Sequence, residues 1–96
     1  MNLVMVMCAG EHLADVQRII DSHEVSGYTE IPNVPGSGAT GRRMGTRAYP
    51  GTSSIVLTAV PDEVVGTLIE DLRAFAARLR PGEGVRAFVL PVDQMI

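Results

Sequence analysis

The chain has 96 residues, enough for one hydrophobic core, so a single domain spanning 1–96 is expected. Hydrophobic residues make up 46% and charged residues 20%, a balance that excludes a disordered chain. A net charge of −3 argues against general nucleic-acid binding, which draws on an excess of positive charge.

The longest apolar run, Leu3 to Ala9, falls far short of the roughly 20 residues that a membrane helix needs. No basic residue precedes it, so it does not read as a signal peptide. Cys8 is the single cysteine, which rules out an internal disulfide and fits a reducing compartment. The expectation is a soluble cytoplasmic domain that is not itself a membrane protein.

Leu3 to Cys8 is an apolar run of strand length, as for a strand buried on both faces. Gly10 ends it, and Leu13, Val16, Ile19 and Ile20 then recur at helical spacing. Ser26-Gly27 is the expected break of that helix, and Tyr28 to Val34 reads as a second, more polar strand. Ser54 to Val60 is the third strand. Pro61-Asp62-Glu63 opens the second helix, where proline is tolerated and two carboxylates suit the positive end of the dipole. Val65, Leu68, Ile69, Leu72, Ala76 and Leu79 form its apolar stripe, with Arg78 and Arg80 suited to its negative end. Pro81-Gly82 stops it, and Val85 to Val92 is the last strand.

Two strand–helix–strand units predict an α+β, ferredoxin-like sandwich: a four-stranded antiparallel sheet with helices on one face. In that topology the second and fourth strands lie at the edges, and these carry Pro32 and Pro91. The two central strands are apolar throughout, which implies that the helix-free face is covered by a further copy of the chain.

The connection from Pro35 to Thr52 holds five glycines (36, 38, 41, 45 and 51) and three of the eight arginines, Arg42, Arg43 and Arg47. Loops this long in small domains are commonly functional. Gly36-Ser37-Gly38-Ala39-Thr40-Gly41 matches G-x-G-x-x-G, but Gly45 and Pro50 interrupt any following helix, so a dinucleotide fold is not expected. Arg42-Arg43 stand where a phosphate-binding loop needs lysine and a hydroxyl. What remains is an anion or partner loop, in which glycine frees backbone amides beside guanidinium groups.

Cys8 and His12, with Met1, Met5 and Met7, invite a soft-metal site. Met5 and Met7 fall on the strand face opposite Cys8 and cannot join it. His12 and His23 would stand roughly 16 Å apart along one helix. A buried thiol, a methionine-filled core and surface histidines are expected instead. For catalysis, a set could be drawn from a serine, His12 or His23, and Asp15 or Asp21, but no nucleophile motif marks any serine. Glu70-Asp71 and the Glu11/Asp15 pair read as solvated helix faces, and no enzyme activity is expected.

Several short segments, in order and spacing, resemble the PII signal-transduction superfamily and most closely its short PII-like members. Val25-Ser26-Gly27-Tyr28-Thr29 resembles the start of the second strand, and Val34-Pro35-Gly36-Ser37-Gly38 the start of the T-loop, here about 35–52. Val60-Pro61-Asp62-Glu63 resembles the strand-to-helix junction of the second repeat. Pro81 to Val89 resembles the B-loop, about 81–86, and the strand after it.

The resemblance implies a homotrimer that binds an adenine nucleotide between subunits. Its T-loop responds to the ligand and docks on a transporter, enzyme or regulator, as in nitrogen regulation. By position, Thr29 would sit near adenine, Gly36 and Gly38 at the T-loop base, and Gly82, Gly84 and Arg86 near phosphates. Three departures stand out. Ala39-Thr40 replace the arginine–glutamine pair of typical members, Tyr49 is a poor substitute for the modified tyrosine, and the sequence ending at Ile96 lacks a basic C-terminal segment. ADP or AMP is therefore expected over ATP, with a small anion such as bicarbonate, and Arg42, Arg43 and Arg47 would supply phosphate or anion contacts. The alternative is a metal-responsive trimer resembling the CutA proteins or the metal-associated PII-like group, using Cys8 and His12.

Overall fold

The computed structural model describes residues 1–38, 41–47, 51–80 and 83–96. Strand β1 (Asn2–Ala9) turns Val4, Val6 and Cys8 to one side and Leu3, Met5 and Met7 to the other. A 3₁₀ turn at Gly10–His12 leads into helix α1 (Leu13–Asp21). The helix ends before the expected break at Ser26-Gly27. Ser22 Oγ donates to the Ile19 carbonyl at 2.6 Å, and a serine bonded to its own helix favours termination there.

Strand β2 (Thr29–Val34) follows. The long connection then folds part of itself into a hairpin of two short strands, β3 (Gly36–Gly38) and β4 (Gly41–Arg43). Strand β5 (Ser53–Val60) precedes helix α2 (Asp62–Ala77), and strand β6 (Val85–Pro91) completes the fold. Pro61 is the N-cap of α2, with Asp62 and Glu63 in its first turn, as the sequence predicts. Arg78 is the C-cap and lies over the Phe75 ring at 5.7 Å, a cation–π contact. Arg80 lies beyond the helix and faces Glu83 instead.

The main sheet is antiparallel in the order β2-β5-β1-β6, the ferredoxin-like arrangement. Pro32 and Pro91 sit on its two edge strands, where a missing N–H costs no ladder bond. Val16 and Ile20 of α1 and Leu68, Leu72 and Phe75 of α2 pack on Val4, Val6, Cys8, Val56 and Val60. Phe75 belongs to this core, although the stripe predicted from spacing runs through Ala76. Thr58, buried on the same face, donates to the Gly27 carbonyl at 2.7 Å and ties β5 to the turn before β2.

Among the described residues, the opposite face carries no helix. Register places Thr29, Leu57, Met5 and Phe88 in one row across the four strands, and Ile31, Ile55, Met7 and Arg86 in the next. Leu3, Ala59 and Leu90 extend the apolar surface. Phe88 is 47% exposed and Ile31 44%, so large side chains stand in solvent on this face of a single chain. Met5 and Met7 are thus on the open face and not in the core, because odd positions of β1 point away from the helices. Among the described residues, no helix is long and apolar enough to cross a membrane.

Leu68 is fully buried between α2 and the sheet. Leu68→Ala is expected to destabilise the protein by about 2–5 kcal/mol, read from urea denaturation at one fixed protein concentration.

Candidate functional site

The long connection leaves and rejoins the sheet at one end, beside the start of α1. Between Ile31 and Val34 the register slips, since Ile31 faces Ile55 and Val34 faces Ser53. One extra residue on β2 makes this a β-bulge. It is built from Pro32, which has no N–H, and Asn33, whose φ of 58° is left-handed and tolerated best by asparagine and glycine. Thr52 Oγ1 reaches Asn33 Oδ1 at 3.3 Å, and Gly10 N–H donates to the Thr52 carbonyl at 2.9 Å. Gly45, at φ 68°, donates to the Gly51 carbonyl and closes the segment before Thr52. An open cleft of about 420 Å³ lies here, lined by Gly10, Glu11, Pro32, Asn33, Thr52 and Ser54.

Next to this cleft the 3₁₀ turn meets the segment before β6. His12 Nε2 lies 3.0 Å from Glu83 Oε2 and 3.8 Å from Glu11 Oε1. The imidazole packs edge-on to Phe75, with ring centres 5.8 Å apart, so a core residue fixes its orientation. Arg80 Nε stands 3.9 Å from the other oxygen of Glu83.

The ligand residues expected from the family resemblance are dispersed in one chain. Thr29 is exposed at the start of β2 and lines a separate open cleft with Leu3, Tyr28, Leu57 and Ala59. Gly36 and Gly38 form β3, with Gly36 close to Ser53. Gly82 lies outside the described residues. A Cβ on Gly84 would meet open space, and Arg86 is exposed on the open face of β6. Thr29 and Arg86 therefore occupy opposite edge strands, three strand spacings or about 14 Å apart. Arg42 and Arg43 lie in β4, paired in register with Ser37 and Gly36, and Arg47 is exposed beyond it. The G-x-G-x-x-G stretch thus begins a β-hairpin rather than a strand-to-helix turn, in keeping with the reading against a dinucleotide fold.

Neither histidine behaves as the sequence suggests. Both flank α1, and their side chains are only 13% and 11% exposed, so they are not surface groups. His23 Nε2 bonds Asp71 Oδ2 at 2.7 Å, and Thr67 Oγ1 is 3.5 Å from its Nδ1. The partner carboxylate is therefore Asp71, not Asp15 or Asp21. Asp15 pairs with Arg18. The Thr67 hydroxyl donates to the Val64 carbonyl, so this set braces α1 against α2 and does not present an activated nucleophile. Cys8 is buried on the helix side of β1. Among the described residues, the side chains that converge as possible metal ligands are Glu11, His12 and Glu83, without Cys8. Glu83, Asn33 and Thr52 escape the sequence reading, because their partners are distant in the chain, and Glu11, expected on a solvated helix face with Asp15, instead stands beside its neighbour His12.

Residues 1–96 match the family of nitrogen regulatory protein P-II. The chain belongs to this family. Among solved structures, it is similar to CPII, a nitrogen regulatory PII-like protein from Thiomonas intermedia K12. The form bound to ADP, AMP and bicarbonate gives 26% identity and a TM-score of 0.75, covering 92% of this chain and 81% of that one. The form bound to ADP and bicarbonate gives a TM-score of 0.76 at the same identity and coverage. A protein of Thermus thermophilus described as PII-like shares the fold, with 20% identity, a TM-score of 0.67 and coverage of 92% and 82%. No curated protein sequence matches the chain.

In this P-II chain, burial pushes the Cys8 thiol up to about 11 from the ordinary 9.0. The fold favours the neutral thiol. That contribution is whole below about pH 9 and is lost as pH rises through the folded-state value. Urea-measured stability is expected to fall between pH 9 and 11, and Cys8→Ala should lose that component. At about pH 7 a thiol reagent should label Cys8 only in denatured protein.

Proposed function

We propose that this P-II family chain is a regulatory protein that senses an adenine nucleotide, ADP or AMP in preference to ATP, together with a small anion such as bicarbonate. The ligand lies in clefts between subunits of a homotrimer. The observation that carries this reading is the placement of Thr29 and Arg86 on opposite edges of the sheet. The residues expected at adenine and at phosphate are three strand spacings apart in one chain, which favours a site shared between two subunits. The uncovered apolar face supports such an assembly, since among the described residues no element covers Leu57, Met5 and Phe88. CPII, bound to ADP, AMP and bicarbonate, supports the choice of ligand.

In this reading Gly36 and Gly38 let backbone amides approach the ligand at the base of the connection, and Gly82, Gly84 and Arg86 hold phosphate. Arg42, Arg43 and Arg47 bring positive charge to the anion or to the protein target. The ligand selects one arrangement of residues 35–52 over another, and the free energy of that choice is its differential affinity for the two. The target is a protein such as a membrane transporter or metabolic enzyme that docks on the selected form. The role is regulatory rather than catalytic.

Calorimetric titration with ATP, ADP and AMP, with and without bicarbonate, is expected to show about one nucleotide per chain at micromolar affinity. ADP or AMP should bind more tightly than ATP. Arg42→Ala with Arg43→Ala should weaken ligand or target binding while light scattering still reports a trimer. No heat with any nucleotide would end the proposal.

Phe88→Asp places a carboxylate among the apolar side chains of the open face, on its edge strand β6. It is expected to break the assembly in light scattering and to abolish nucleotide binding with it. A dissociated variant that binds nucleotide normally would contradict the two-subunit site.

A further inference from the structure

We infer that Glu11, His12 and Glu83 form a binding site for a divalent first-row metal ion, of the zinc or manganese class, at the junction of the 3₁₀ turn and the segment before β6. One oxygen or nitrogen from each residue lies within 4.8 Å of the others. Ligand atoms about 2.1 Å from a shared ion stand roughly 3.0–3.5 Å apart. The 3.0 Å between His12 Nε2 and Glu83 Oε2 already meets that spacing. The 3.8 Å between Nε2 and Glu11 Oε1 needs only a small rotation of an exposed side chain.

Three further features fit an ion. Two carboxylates converge on the same ring nitrogen, which has at most one proton to donate and so serves both poorly. With a neutral ring, the three side chains carry two negative charges, which a divalent ion cancels. The imidazole is held by the edge-on Phe75, so the nitrogen ligand is preoriented from the core. Arg80 faces the far oxygen of Glu83 at 3.9 Å with its side chain 90% exposed, and is a weak competitor for the site.

Imidazole with carboxylate selects a first-row ion over magnesium or calcium, and Glu11 also lines the neighbouring open cleft. A bound ion would fasten the segment that begins at Glu83, and so Gly84 and Arg86, to the start of α1. The site does not require nucleotide binding, so the two proposals fail separately.

The test uses metal-stripped full-length protein titrated with zinc chloride and with manganese chloride, without nucleotide. About one ion per chain is expected. His12→Gln and Glu83→Gln should each weaken binding at least roughly tenfold. Glu11→Gln, an exposed change that leaves the fold intact, should also weaken it, and Cys8→Ser should leave it unchanged. The melting curve of each variant, recorded without metal, separates loss of a ligand from loss of fold. No binding of either ion, binding lost in Cys8→Ser, or binding retained in the folded Glu11→Gln and His12→Gln variants would each overturn the assignment.

Discussion

Two helices can cover only one face of a four-stranded sheet, and the rest of this structure depends on that shortfall. The chain spends α1 and α2 on the side of Val4, Val6, Val56 and Val60. It nevertheless places Met5, Met7, Ile55, Leu57 and Phe88 on the other side. A domain of this size has little core to spare, so an apolar face left in water would be a large cost relative to its net stability. An exposed face of this composition is what the proposed assembly would bury.

The same geometry brings several segments together at one end of the sheet. The bulge at Pro32-Asn33, the return at Thr52 and the turn at Gly10 are bonded to one another, so the long connection between them starts and finishes on fixed points. The contact of His12 with Glu83 brings the segment before β6 to the same end. The proposed ligand-dependent rearrangement of residues 35–52 would be confined between these points, since a ligand shifts such an equilibrium only by its differential affinity for the two arrangements.

Much of the architecture is legible in the sequence because it is written in local patterns. The apolar runs of β1 and β5, the spacing in α1, and Pro61-Asp62-Glu63 each declare an element without help from elsewhere. The edge positions of Pro32 and Pro91 follow from backbone chemistry alone. Local pattern fails where partners are remote. Glu83 and His12 are 71 residues apart, and Asp71 and His23 are 48 apart, so no spacing rule joins them. The β3–β4 hairpin is built from glycine, serine and arginine, which are poor strand formers and gain that state only by pairing. Phe75 is hidden among neighbouring alanines that keep the same helical period. The ligand residues drawn from family resemblance can be located one by one, but they do not converge within one chain, so no local pattern joins them.

Arg86 ends the row that contains Ile31, Ile55 and Met7. A guanidinium at the rim of an apolar face resists desolvation unless an anion accompanies it. In the proposed assembly, covering that face and neutralising that charge become one thermodynamic event with two parts. An anion that settles on Arg86 would then also tighten the proposed contact between chains, and dilution that separates the chains would also release the anion. The protein's concentration in the cell would set its sensitivity as directly as the chemistry of its cleft.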